Sequence, residues 1–171
     1  TGGNAFTLTA GPGGGVSFDD QNASGITGAA IGIQATVDPG GAALSITTTG
    51  DVSGGAAGIS ASTQGTGVLN ISSSGTVTSP GGLGIYALNQ GTGAVSVDTS
   101  NASGTGNVIS YGDAIEVISV GGSGVTVIAD SVLAVAGDGI LARSVAGTAG
   151  VDVTVTGTIT GGDEGIQAVN Q

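Results

Sequence analysis

Carboxylates are the side chains in this sequence best placed to do chemistry. Twelve Asp and Glu stand against one basic residue, Arg143, and the chain has no His, Cys, Met or Trp. Three of the acids hold the same position relative to an isoleucine. Asp113 and Asp138 sit two residues before Ile115 and Ile140, and Glu164, with Asp163 beside it, sits two before Ile166. Were these positions stacked, the carboxylates would repel one another unless solvated or neutralised by a cation. Hard oxygen ligands suit Ca²⁺, but the Gly-Gly-Xaa-Gly-Xaa-Asp nonapeptide of Ca²⁺-binding β-rolls is absent. A solvated acidic corner is therefore the plainer reading of Asp113, Asp138 and Glu164.

Paired carboxylates also hydrolyse glycosides, where they work with a cleft and with basic or aromatic subsites. One Arg, two Tyr and no Trp or His make a poor set for that task. The serines have no His or Lys to serve as their base. The expectation is thus no catalytic residue, no metal and no cofactor, with any binding residues left unassigned. Other candidates have ordinary readings as well. Tyr86 and Leu141 flank Glu116 in what would be one outward column with Gln34, Ser60 and Gln167, either a contact patch or scattered surface residues. Asn22-Ala23-Ser24 and Asn101-Ala102-Ser103 match the N-glycosylation sequon and read more simply as turns. A Thr array suited to ice is broken, because the equivalents of Thr47 are Ser72, Asp98, Ile128 and Thr154.

The elements that must carry these residues follow from an internal repeat. Gly-Ile-Xaa-Ala occurs at Gly32–Ala35, Gly58–Ala61, Gly84–Ala87 and Gly165–Ala168, with looser copies at Ala114–Val117 and Gly139–Ala142. The isoleucines fall at 33, 59, 85, 115, 140 and 166, so the spacings are 26, 26, 30, 25 and 26. A second apolar-polar-apolar triplet follows ten or eleven residues on, as in Leu44-Ser45-Ile46 and Val95-Ser96-Val97. A third apolar position lies six residues further, at Val52, Val77, Leu133 and Ile159. A more degenerate first unit begins near Phe6 and includes Val16-Ser17-Phe18 and Ile26.

Each short run alternates apolar and polar, the period of a half-buried strand, and is bounded by Gly, Ser, Thr, Asn or Asp. No window has apolar residues at helical spacing. Three such strands per turn describe an all-β chain: a parallel β-helix, a solenoid of about six coils of roughly 26 residues. Coils stacked about 4.8 Å apart would span roughly 29 Å. The isoleucines would form one interior ladder, and Ala35, Ala61, Ala87, Val117, Ala142 and Ala168 the next. Extra residues after the second strand, at 21–25 and 100–107, should project as loops from one edge.

Composition also narrows the partners. A net charge of -11 disfavours nucleic acid, which is bound by clustered Lys and Arg, and disfavours an anionic membrane surface. No apolar run reaches the roughly 18 residues of a membrane span, so no direct membrane insertion is expected of residues 1–171, read as a single solenoid segment.

The repeated Gly-Ile-Xaa-Ala, the Gln-Gly-Thr-Gly of Gln64–Gly67 and Gln90–Gly93, and the Ser-Gly-Thr-Val-Thr of Ser74–Thr78, varied as Thr156–Thr160, resemble passenger domains of large bacterial autotransporter adhesins. The resemblance covers nearly the whole chain. It implies a right-handed β-helix at the bacterial cell surface, linked covalently to an outer-membrane barrel outside this segment, whose partner is a host surface or extracellular-matrix ligand. It also implies a stalk or adhesive role. A polysaccharide-acting enzyme module and a plain spacer are the alternatives on the same fold. The last residues, Ile166–Gln171, match Ile85–Gln90. That match reads as an internal fragment ending one strand into a coil, for which end-to-end self-association and fraying are expected.

Overall fold

The computed structural model describes residues 2–100, 107–121, 123–145 and 149–171. Its strands run coil by coil. The first coil holds β1 (Phe6–Ala10), β2 (Val16–Asp20) and β3 (Ile26–Gly28), and the second β4 (Ile31–Val37), β5 (Leu44–Thr48) and β6 (Val52–Gly54). The third holds β7 (Ala57–Thr63), β8 (Leu69–Ser73) and β9 (Val77–Ser79), and the fourth β10 (Leu83–Asn89), β11 (Val95–Asp98) and β12 (Asn107–Ser110). The fifth holds β13 (Ile115–Ser119), β14 (Val125–Ala129) and β15 (Ser131–Ala134), and the sixth β16 (Ile140–Ser144), β17 (Val151–Val155) and β18 (Ile159–Thr160). A final strand, β19 (Ile166–Asn170), stacks on β16.

Like strands of successive coils pair in parallel, giving one sheet of seven strands and two of six that wrap a common interior. The chain is a β-solenoid. No helix occurs among the described residues, and none therefore is long and apolar enough to cross a membrane.

Register follows the repeat. In the seven-stranded sheet Ile33 pairs with Ile59, Ile59 with Ile85, Ile85 with Ile115 and Ile115 with Ile140. All five are fully buried. Ala35, Ala61, Ala87, Val117 and Ala142 form the neighbouring ladder, each at most 1% exposed. Side chains point alternately to the two faces of a strand, so both ladders turn inward together. Each fully buried Ile contributes about 1.5–3 kcal/mol of transfer free energy. At the foot of the stack, Phe6 and Phe18 occupy the two isoleucine positions and lie 5.1 Å apart between ring centroids.

The glycine of Gly-Ile-Xaa-Ala has a steric cause. A Cβ on Gly32 would lie 2.7 Å from Val52 Cγ1 and 2.6 Å from the Gly58 carbonyl oxygen. Gly58, Gly84 and Gly139 face Val77, Val108 and Ile159 in the same way. The third-sheet side chain of each coil thus fills the space a Cβ would need.

One expected core position is corrected. Leu133 does not line the interior but is 42% exposed, while Val132 is 3% exposed and pairs with Val108 and Ile159. In the third coil the inward Val77 comes four positions after the inward Ser73, whereas in the fifth Val132 comes only three after Ala129. The six-residue rule therefore oversteps by one, and a one-residue step in a strand reverses the face. This contraction accounts for the 25-residue spacing from Ile115 to Ile140.

The inward row near the ends of the first-sheet strands turns polar after the second coil. Thr63, Asn89, Ser119 and Ser144 follow Val37 along the first sheet, all nearly or fully buried. Several of these side chains close the turn that follows them. Thr63 Oγ1 accepts the Gly65 amide at 3.0 Å, and Asn89 Oδ1 accepts that of Gly91 at 2.7 Å while its Nδ2 donates to the Gly93 carbonyl. Buried polar groups need such partners. The hydroxyls of Ser79, Thr99 and Ser119 have none.

Candidate functional site

The acidic positions stack as their spacing predicts. They follow the third strand of their coils, at the corner where the chain turns back into the seven-stranded sheet. Asp113 Oδ1 accepts the backbone amide of Asp138 at 2.8 Å, and Asp138 Oδ1 accepts that of Glu164 at 3.0 Å. Each carboxylate thus caps an amide of the coil above it. This is a third way of accommodating stacked acids, beside solvation and a cation, because each backbone N–H gives a carboxylate oxygen a hydrogen-bond donor. Asp138 is the one buried carboxylate, 7% exposed.

Asp163 joins this corner. One carboxylate oxygen from each of Asp138, Asp163 and Glu164 lies within 4.8 Å of the others, with Asp163 and Glu164 exposed. Oxygen ligands so gathered suit a hard divalent cation, although Asp138 already spends one oxygen on a backbone amide. The Glu164 carboxyl is held above the usual carboxylate range by its hydrogen bond with Asp138, and further by the charges of Asp163 and Asp138.

The Tyr86 column forms as expected, with Gln34, Ser60, Tyr86, Glu116, Leu141 and Gln167 in successive register. Tyr86 and Leu141 are half-buried rather than protruding. Burial pushes the Tyr86 hydroxyl up, with the charge of Glu116 adding to it. Glu116 is itself raised, first by burial and then by Asp113, against an opposing pull from Arg143. The column is thus a packed strip around one carboxylate.

The Thr47 column runs Asp19, Thr47, Ser72, Asp98, Ile128 and Thr154, so no continuous Thr face exists. Asn22 is a turn residue, its Oδ1 accepting the Ser24 amide at 3.1 Å. The second sequon, at Asn101, lies outside the described residues. The predicted insertion at 21–25 falls between β2 and β3, and most of the one at 100–107 lies outside the described residues.

A surface that sequence reading missed lies on the third sheet. Ile109 and Leu133 are register partners and point outward, 38% and 42% exposed. Tyr111 and Val135, two residues further along, are 54% and 60% exposed. A signal for it exists: Ile109 and Tyr111 alternate out of phase with the inward Val108 and Ser110.

These geometries define a parallel β-solenoid with an amide-capped acidic corner and a small apolar face. No family model, curated protein or solved structure matches the chain.

Proposed function

We propose that this chain is a rigid, non-catalytic segment of a secreted bacterial surface protein of the autotransporter-passenger kind, a stalk or adhesive stretch that makes or supports attachment to another surface. The observation that carries the reading is the continuous interior: Ile33, Ile59, Ile85, Ile115 and Ile140 stack without interruption from coil to coil. Such a ladder makes a rod, each coil supported by its neighbours, and a rod presents side chains at a distance from its anchor. The residue inventory supports the non-catalytic part, because the chain has no histidine and no tryptophan, and Asp113 and Asp138 of the acidic corner serve the backbone. The resemblance of the repeats to passenger domains supports the location.

Beads coated with the chain should attach to epithelial monolayers or matrix-coated plates above beads carrying an unrelated acidic protein. The soluble chain should release no reducing sugar from polysaccharides. Sugar release abolished by Asp138→Asn would overturn the proposal in favour of an enzyme.

A further inference from the structure

We propose that the outward face of the third sheet in the fourth and fifth coils is a docking site for a basic polypeptide segment that carries large apolar side chains between its lysines or arginines. Four side chains make the face: Ile109 and Tyr111 from one coil, Leu133 and Val135 from the next. They form a two-by-two block, because Ile109 pairs with Leu133, and Tyr111 and Val135 follow in step, the Val135 amide donating to Ser110 at 3.1 Å and the Ala136 amide to Tyr111 at 2.8 Å.

Elsewhere this column is polar, reading Thr27, Ser53 and Thr78 below and Thr160 above. The apolar side chains are therefore concentrated in two adjacent coils. A shallow depression of about 220 Å³ lies beside Ile109 and Leu133. Outward residues here touch no core, so folding does not explain their size. Contiguous exposed apolar surface of this kind marks interaction sites.

Charge selects the occupant. Asp130 immediately precedes β15. At the other end, Asp113 follows Tyr111 by two residues, Asp138 follows Val135 by three, and Asp163 and Glu164 share the corner with Asp138. At no more than about 3.6 Å per residue, the backbones of Asp113, Asp130 and Asp138 lie within about 7 to 11 Å of the nearest member of the apolar block, a span comparable to the Debye length of about 8 Å at physiological salt. The single cation, Arg143, sits in β16 on another sheet. Such a field attracts Lys and Arg and repels anionic membranes and nucleic acid. It also disfavours a second copy of this chain, which brings a further -11. This goes beyond the proposed function, and the titration below reads the face alone, so bead attachment and peptide binding can fail independently.

The chain has no Trp, so emission from a blocked peptide Lys-Lys-Leu-Trp-Leu-Lys-Lys reports its burial directly. The expected result is a saturable blue shift that weakens severalfold when salt rises from about 0.05 to 0.5 M. Leu133→Ser with Val135→Ser should weaken binding roughly tenfold or more, the loss of about one fully buried side chain's worth of contact spread over two partly covered ones, and Asp163→Asn with Glu164→Gln severalfold. If the serine pair loses its melting transition, Val135→Lys, at the most exposed of the four positions, should abolish binding by repulsion. The proposal is overturned by no saturation up to about 1 mM, by equal binding of Glu-Glu-Leu-Trp-Leu-Glu-Glu, by undiminished affinity in the folded serine pair, or by capture of a neutral glucan in place of the peptide.

Discussion

Asp113 Oδ1 lies 2.8 Å from the backbone nitrogen of Asp138, the residue above it in the stack, and Asp138 repeats the contact to Glu164 at 3.0 Å. The acidic corner is thereby a backbone splint as much as a patch of charge. Asp138→Ala should destabilise the chain by about 1–3 kcal/mol, since it leaves the Glu164 amide without its acceptor. Asp138→Asn keeps an acceptor oxygen and removes a crowded charge, so it should be near neutral or stabilising. Urea unfolding followed by circular dichroism separates the two. Equal losses would mean that the charge of Asp138, and not its hydrogen bond, supports the corner.

Acid should stabilise this protein over a range where many proteins weaken. Glu116 is raised by burial and by Asp113, and Glu164 by its hydrogen bond with Asp138 and by neighbouring charges. A carboxyl raised in the folded state holds its proton more tightly there than in the unfolded chain. Its contribution is complete below the unfolded pKa and is lost as pH rises through the folded one. The melting temperature should therefore climb as pH falls from 7 toward about 5, helped by relief of the general repulsion among the acids. Glu116→Gln should raise the neutral-pH melting temperature and flatten the profile. A melting temperature that falls steadily over this range would refute the account.

Ile85 is fully buried, whereas Tyr86, its chain neighbour, is half-exposed beside Glu116. Ile85→Asp places an unpaired charge inside the coil and should cost more than about 4 kcal/mol, beyond ordinary single substitutions. Tyr86→Ser removes a partly covered ring and should cost about 1 kcal/mol. Denaturant midpoints of the two variants measure the difference, and similar midpoints would overturn the inside-outside assignment.

How much of this was readable beforehand depended on phase. Ile33 through Ile166 and the alanines beside them were legible because period two and a near-constant spacing act together. Val132 was not, because the corner after Ala129 is one residue shorter and the pattern offers Leu133 instead. The buried Thr63, Asn89 and Ser144 read as strand boundaries from their type, yet they continue the inward phase of the Ile and Ala ahead of them. The acidic stack was visible in the positions of Asp113, Asp138 and Glu164. Its backbone capping was not, since nothing in a side-chain pattern shows where an amide points.

Gly58 should tolerate no side chain. A Cβ there would lie 2.8 Å from the Gly84 carbonyl oxygen and would press on the Val77 side chain. Gly58→Ala should cost about 1–3 kcal/mol by overpacking, while Gly11→Ala, where a Cβ meets nothing within 4 Å, should be nearly neutral. Ala114 is instructive, since it takes the glycine's place in the one coil whose third strand arrives a residue early. Adding Val77→Ala to Gly58→Ala should recover only part of the loss, because the backbone contact with Gly84 remains. Full recovery would show that Val77 alone sets the requirement for glycine.

Protection from hydrogen exchange should be graded along the stack. Strands β4 to β16 have a paired strand on both sides, whereas β1, β2 and β3 at one end and β17, β18 and β19 at the other have one. The interior thins in the same direction. Ile140 is fully buried, but Ile166, the next isoleucine of its ladder, is 45% exposed, and Val151, Val153 and Ile159 are half-buried. A solenoid's stability is the sum of coil and interface contributions, so a coil with one interface opens at lower free energy than one with two. Amides of β7 to β11 should exchange slowest, and those of β17 to β19 fastest among the strands. If opening is local, Ile140→Ala should accelerate exchange in β19 and β13 far more than in β4. Uniform protection along the whole stack, or acceleration in β4 equal to that in β19, would show that the coils unfold as one unit and that the nearest-neighbour description does not hold here.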